Sequence, residues 1–171
     1  AFAVGVVRLG RRRVLVQELP AVEGLARVDV VCFDKTGTLT EGRLVVESLE
    51  VLDERYDPAP ALGALAATDS NPNATMQAVA AAFAPPAGWL PTGTVPFSSA
   101  RKWSAASFGS DGSFVLGAPE LVLPGDPVVT ASMEKAAAQG RRVLLLARSP
   151  GEINGEALPT GLEAVALVGL T

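Results

Sequence analysis

Apolar and polar positions change period several times along the chain. It opens on an apolar run, residues 1–7, broken at Arg8 and followed by Arg11, Arg12 and Arg13. That run is far short of the ~20 residues a membrane-spanning helix needs. Its positive charges follow the apolar stretch, the reverse of a secretory signal. Two readings stay open: a packed N-terminal helix, or the last turns of a membrane helix with its basic cytoplasmic flank. Leu19–Leu25 predicts a short helix with Pro20 in its first turn. Residues 29–33 (DVVCF) form a compact β-branched run and predict a strand buried on both faces, as in a parallel sheet, ending at Asp34.

Residues 43–52 alternate as a strand, and Pro58–Ala67 predicts a helix. Met76, Val79, Ala80 and Phe83 recur at i, i+3, i+4 and i+7, so a second helix follows, capped by Asn73 and ended by Pro85 and Pro86. The next stretch is β-rich: residues 92–98, 102–108 and 113–116, the last two joined by a hairpin-type loop at 109–112. Pro119 opens a short helix, Thr130 caps one running to Gly140, and residues 142–147 return as a strand. Glu163–Leu170 has a buried-strand pattern and ends without a polar tail. A piece of α/β sheet is thus followed by an α+β module on an antiparallel sheet, with a hinge near residues 41–47. The start without Met and the apolar finish read as those of a fragment.

Composition narrows the chemistry. The 171 residues are 49% hydrophobic and 19% charged, too apolar for disorder and enough for a real core. The net charge of −4 excludes nucleic acid as a partner in the absence of a basic face. There is no histidine, which removes Ser-His-Asp and Cys-His catalysis and every His-based zinc site. Cys32 is alone, so no internal disulfide or CxxC metal site can form. Catalysis, if present, uses carboxylates, Lys, Arg, hydroxyls or an external metal.

The buried strand leads into Asp34-Lys35-Thr36-Gly37-Thr38-Leu39-Thr40. Open α/β sheets place their chemistry beyond the carboxyl ends of strands, where this carboxylate falls. A carboxylate can attack phosphorus and form an acyl phosphate. Lys35 supplies positive charge beside a transferring phosphoryl group. Gly37 allows a tight turn, and the N–H groups around it, with the Thr36 and Thr38 hydroxyls, can cradle oxygens. The plainer alternative, a turn closing a strand, is the better reading of a bare DxTG but not of this longer string.

DKTGTLT resembles the phosphorylation signature of the P-type ATPases, and the likeness extends over the whole chain. Residues 19–23 (LPAVE) resemble the segment linking the fourth membrane helix to the phosphorylation domain. The elements downstream match the order of the inserted nucleotide-binding domain. The resemblance implies that Asp34 is phosphorylated by ATP, and that its side chain and the Thr36 main-chain carbonyl ligate Mg²⁺. Related phosphatases carry a general acid–base Asp two places after the nucleophile. Thr36 stands there, as suits a persistent aspartyl phosphate.

Residues 96–102 (PFSSARK) resemble the family's F-S-x-x-R-K strand, which implies Phe97 stacked on adenine and Lys102 lining the ATP pocket. Gly117-Ala118-Pro119-Glu120 is similar to the tail of the K-G-A-P-E motif, with Leu116 where the family has Lys. That departure puts part of the electrostatic contact with ATP in question. Gly140 to Leu144 (GRRVL) resembles G-x-R-V-L and puts Arg142 near the phosphates. Asn73 stands where many relatives carry an acidic residue near the adenine. It serves as a helix cap and can also contact the base. The 71–77 string (NPNATMQ) and Leu116 together are similar to the actinobacterial E-type branch near the calcium pumps.

A Walker-type phosphate loop is missing from the sequence, as are the family's later T-G-D and G-D-G-x-N-D segments. The expected fold is α/β: a partial haloacid-dehalogenase-like (Rossmann-like) phosphorylation domain with an inserted α+β nucleotide-binding domain on an antiparallel sheet. Residues 1–13 would end a membrane helix, 14–42 begin the phosphorylation domain, 43–164 form the nucleotide domain, and 165–171 return to the phosphorylation domain. The resemblance implies a cation pump held in the plasma membrane, with this part on its cytoplasmic side and the transported cation bound in membrane helices outside this chain. The chain alone would bind ATP without turning it over. Two alternatives remain: a soluble dehalogenase-type phosphatase or phosphotransferase, and a non-catalytic ATP-binding module.

Overall fold

In the computed structural model, residues 2–33 and 44–171 are described. The chain divides into two compact units between Glu41 and Gly42. In the first unit, α1 (Phe2–Arg11) carries Arg8 and Arg11 in its last turn, where the carbonyl end of a helix favours cations. Helix α2 (Leu19–Leu25) has Pro20 in its first turn, where a missing N–H is no loss. The helices approach closely at Gly5, where a β-carbon would lie 3.3 Å from the Val22 Cγ1. Among the described residues no helix is long and apolar enough to cross a membrane.

The strand expected at 29–33 is not formed. Residues 28–33 have no regular structure, and Val30, Val31 and Phe33 are exposed. A strand buried on both faces exists only between neighbouring strands, and no described residue pairs with this stretch. The phosphorylation-domain sheet therefore has no counterpart among the described residues.

The second unit is a six-stranded antiparallel sheet with helices on both faces. In chain order it runs β1 (Val46–Val51), α3 (Pro58–Ala67), α4 (Ala74–Ala82), β2 (Gly93–Val95), β3 (Trp103–Ser107) and β4 (Ser113–Gly117). It continues with α5 (Pro119–Val122), α6 (Pro127–Ala137), β5 (Arg142–Ser149) and β6 (Glu163–Leu170). The strand order across the sheet is β1-β6-β5-β4-β3-β2. Side chains alternate between faces with the period of two that a pleated strand imposes. Ala106, Phe114, Leu116 and Leu146 pack with Leu62 and Leu65 of α3 and Met76 and Val79 of α4. Their neighbours Ala105, Val115, Leu145 and Ala147 pack with Val122 of α5 and Val129 of α6. Helices on both sides bury β3 and β4 along their whole length.

Two sequence expectations need correction here. Helix α6 is capped by Asp126, not Thr130: Asp126 accepts the Val128 and Val129 N–H groups, each at 3.0 Å, with Pro127 next in line. Thr130 lies inside the first turn and donates its hydroxyl back to the Asp126 carbonyl. Residues 165–170, expected to return to the phosphorylation domain, are the body of β6. They pair with β1 on one side and β5 on the other, so removing them would split the sheet.

Candidate functional site

At one end of the sheet, on the face covered by α4, lies a cavity of about 330 Å³. Its floor crosses three adjacent strands through Ser104 of β3, Leu116 of β4 and Leu144 of β5. The first turn of α4 forms a wall through Thr75 and Met76, with Asn73 before it. Asn73 accepts the Met76 N–H at 3.0 Å, satisfying a donor that a helix start leaves open.

Phe97 stands at the mouth, 41% exposed, on the loop between β2 and β3. An aromatic face open to water is costly unless something covers it, and it is the kind of surface a planar ring stacks on. A second cavity of about 210 Å³ adjoins the first and shares Met76, Phe97 and Ser104 with it. The loop bearing Phe97 is tied back on itself. The Arg101 N–H donates to the Ser98 hydroxyl at 3.1 Å, and the Lys102 N–H to the Ser98 carbonyl at 2.7 Å. The Arg101 guanidinium lies over the Trp103 ring and donates to the Pro96 carbonyl at 2.8 Å. Its Nε is buried without a hydrogen-bond partner among the described residues.

Lys102 closes this loop with φ at 57°, a left-handed conformation that costs a side-chain-bearing residue free energy. Such strain persists where the surroundings enforce it, often at binding sites. Here the Lys102 carbonyl accepts the Ala118 N–H at 3.0 Å, tying the loop to the segment after β4. Gly117 sits against this junction: a β-carbon there would fall 2.4 Å from the Trp103 Cβ and 2.8 Å from the Lys102 carbonyl oxygen. Across the cavity, Gly140, at φ 70°, ends the turn after α6 and delivers Arg142 to the start of β5. The charged lining is Lys102, Arg142 and Glu120, two cations against one carboxylate, which favours an anionic ligand.

All five residues singled out for nucleotide contact, Asn73, Phe97, Lys102, Gly117 and Arg142, line this one cavity. They come from four separate stretches of chain. Leu116 lies in the floor at 2% exposure, so the position where the resemblance expects a cation is apolar and buried. Sequence reading did not assign Ser104, Met76 or Leu144 to the site. Their membership follows from strand register and helix packing, neither of which leaves a mark in the sequence. Asp34, Lys35, Thr36, Gly37 and Thr38 lie outside the described residues. Among the described residues no cluster of His, Cys, Asp or Glu side chains could hold a metal ion.

No family model matches the chain. It is 53% identical over 171 residues to the calcium-transporting ATPase CtpE of Mycobacterium bovis, covering 98% of this chain and 22% of that protein. It is 38% identical to the probable cation-transporting ATPase exp7 of Streptococcus pneumoniae, again over 98% of this chain and 22% of the relative. The chain therefore spans about a fifth of the length of these relatives. Its fold is similar to that of a zinc-transporting PIB-type ATPase crystallised in an E2.Pi state, with a TM-score of 0.65. That match is at 21% identity and covers 99% of this chain and 26% of the other.

Proposed function

From the chain's homology to a segment of the P-type cation-transporting ATPases, we propose that it is the segment that binds ATP and carries the aspartate ATP phosphorylates. The convergence of Asn73, Phe97, Lys102, Gly117 and Arg142 on one cavity is the observation that carries this reading. The base stacks on Phe97 over an apolar floor, and the phosphates run toward Lys102 and Arg142. Gly117 lets the chain pass close beneath. The two cations offset much of the triphosphate charge, and Leu116 leaves the middle of the floor without one.

The γ-phosphoryl group passes to Asp34. A carboxylate oxygen of Asp34 bonds to the γ-phosphorus, the bond to the β–γ bridging oxygen breaks, and ADP leaves. Lys35 offsets developing charge, and the Thr36 and Thr38 hydroxyls with the N–H groups beside Gly37 are the donors available to the phosphoryl oxygens. When bound, Mg²⁺ would be held by the Asp34 side chain and the Thr36 main-chain carbonyl, and it would supply charge neutralisation for the transfer. Residues 14–42 belong to a dehalogenase-like phosphorylation domain whose remaining strands lie in the rest of the protein's length. On this reading residues 28–33 gain their strand partners only there. The whole protein is a membrane pump with this segment on its cytoplasmic side. Its cation is calcium, the ion for which the Mycobacterium relative is named.

The test is an ATP titration of the chain followed by backbone NMR, beside Phe97→Ala and Lys102→Ala. Shift changes clustered at residues 73, 97, 102, 117 and 142, with weaker binding in both variants, are expected. A folded chain that gives no response at millimolar ATP overturns the reading. The chain alone shows no steady ATP hydrolysis above a blank, since phosphoenzyme turnover needs the remainder of the protein. In the full-length protein, hydroxylamine-labile labelling from ATP disappears with Asp34→Asn. Labelling that survives this change removes Asp34 from the chemistry.

A further inference from the structure

Arg142, which lines the cavity, is the first residue of β5, and strand ends fray unless something beyond the ladder holds them. Its neighbour Arg141 is tied to two other elements. The Arg141 backbone N–H donates to the Ala136 carbonyl at 3.1 Å, fastening the entry to β5 onto the last turn of α6. Its guanidinium donates to the Glu47 carboxylate at 2.9 Å, a charge-assisted bond between two half-buried side chains. Glu47 belongs to β1, and β6 lies between β1 and β5, so this bond spans a whole strand. It does so at an irregularity. Val46 pairs with Leu170 and Ser48 with Gly169, which leaves Glu47 as one residue more on β1 than β6 can match. A bulge of this kind re-aims a side chain. The same row of the sheet also joins Val46 through Leu170 to Arg142. Arg141 does not line the nucleotide cavity. It borders a separate recess of about 150 Å³ beside α6 with Ser132 and Lys135.

Resting on the nucleotide reading above, we propose that Arg141 and Glu47 are positioning residues for the nucleotide site, their ion pair clamping the start of β5 so that Arg142 is held ready for the phosphates. A pair this exposed adds little to global stability. The free energy that separates an ordered strand end from a frayed one is equally small, so the pair decides the local balance. An arginine on a frayed end must be ordered as the ligand arrives, and that cost is subtracted from affinity; an arginine already held avoids it. The two partners also separate positioning from plain charge. Removing Arg141 takes away a positive charge and removing Glu47 a negative one, so long-range electrostatics changes affinity for an anion in opposite directions. Loss of the clamp weakens binding in both cases.

ATP titrations of the chain followed by NMR, in wild type, Arg141→Ala, Glu47→Ala and the double variant, test the proposal. Each single variant is expected to bind ATP about two- to fivefold more weakly, and the double variant no more weakly than Arg141→Ala alone. The same substitutions are then made beside Arg142→Ala. A pair that acts through Arg142 has nothing left to position there, so ATP affinity no longer responds to Arg141→Ala or Glu47→Ala, whereas a general loosening of the sheet would still be felt. Should Arg141→Ala disturb the fold, Arg141→Gln keeps the aliphatic stem and the backbone bond to Ala136 and removes only the charge. Tighter ATP binding in Glu47→Ala, affinity unmoved by either single variant, or equal losses with and without Arg142 overturns the proposal while leaving the nucleotide site standing. If wild type does not bind ATP, the nucleotide reading falls and this proposal with it.

Discussion

Gly117 faces Trp103 directly across the β3–β4 ladder, so close that a β-carbon at 117 would lie 2.4 Å from the Trp103 Cβ. The same added carbon would meet the Lys102 carbonyl, which holds the loop to Ala118. Backbone and a buried ring cannot yield as a flexible side-chain end can. Gly117→Ala is therefore expected to cost about 1–3 kcal/mol of stability, the range of overpacked cores, and to weaken ATP binding by displacing Lys102. Denaturant melts and an ATP titration check this. Unchanged stability would mean the two strands separate more easily than their packing indicates.

The positive φ of Lys102 separates strain from charge at the same residue. Lys102→Gly removes both the ammonium and the left-handed penalty, whereas Lys102→Ala removes only the ammonium. Both variants should bind ATP more weakly than wild type. The glycine variant should be the more stable of the two by about 1 kcal/mol. Equal melting temperatures would show that the loop relaxes out of this conformation once the lysine is gone.

Arg101 holds the Phe97 loop without being part of the cavity lining. Its hydrogen bond to the Pro96 carbonyl and its stacking on Trp103 fasten both ends of the loop. Its ion pair with Glu156 involves a carboxylate whose side chain is 78% exposed. Arg101→Ala should weaken ATP binding several-fold, about as much as a loss of 1 kcal/mol implies. Glu156→Ala should change stability and binding by less than about 0.5 kcal/mol, since exposed pairs contribute little. Equal losses in the two variants would transfer the positioning role to the ion pair.

Asp53, after β1, receives three side-chain hydrogen bonds from Arg55, Nε at 2.9 Å and 3.1 Å to its two oxygens and the terminal nitrogen at 2.7 Å, and a backbone one at 3.0 Å. The side-chain bond, then the backbone bond, holds its carboxyl below the ordinary range. A depressed folded-state value stabilises above the unfolded-state pKa of about 4 and is lost as pH falls through the folded one. The stability difference between wild type and Asp53→Asn should thus be constant from pH 7 to about pH 5 and shrink below about pH 4. Urea midpoints measured across that range check it. A difference that is as large at pH 3 as at neutrality would contradict it.

Local chemistry made much of the second unit legible. The apolar spacing of 76–83 and the cap at Asn73 correspond to α4 (Ala74–Ala82), and Pro58–Ala67 is helical as expected. The strands at β3, β4, β5 and β6 carry the apolar runs that buried strands require. The motif residues of the cavity were each visible as residues in unusual company: Phe97 and Lys102 around a short polar turn, Gly117 before a proline-led helix, and Arg142 after Gly140.

The structure departs from these expectations where two nearby groups compete for one cap and where a strand needs partners from elsewhere in the chain. Thr130 and Asp126 are both good caps in isolation, and helix α6 begins at the one followed by proline. Residues 29–33 have the composition of a buried strand, but a strand is a property of a pair, and no described residue pairs with them. Residues 165–170 show the opposite case, since two neighbours, β1 and β5, make them the interior of a sheet.

The sequence by itself determined the periodicities, the caps and turns, and the residue types available for phosphate and base, because these depend on groups a few bonds apart. Only the tertiary structure decided that Ser104, Leu116 and Leu144, from three adjacent strands, line the floor of one cavity and that Gly117 must remain without a side chain. It also decided that Asn73 spends its oxygen on α4. Those facts depend on strand register and on which surfaces exclude water together, and packing sets both over the whole sheet at once.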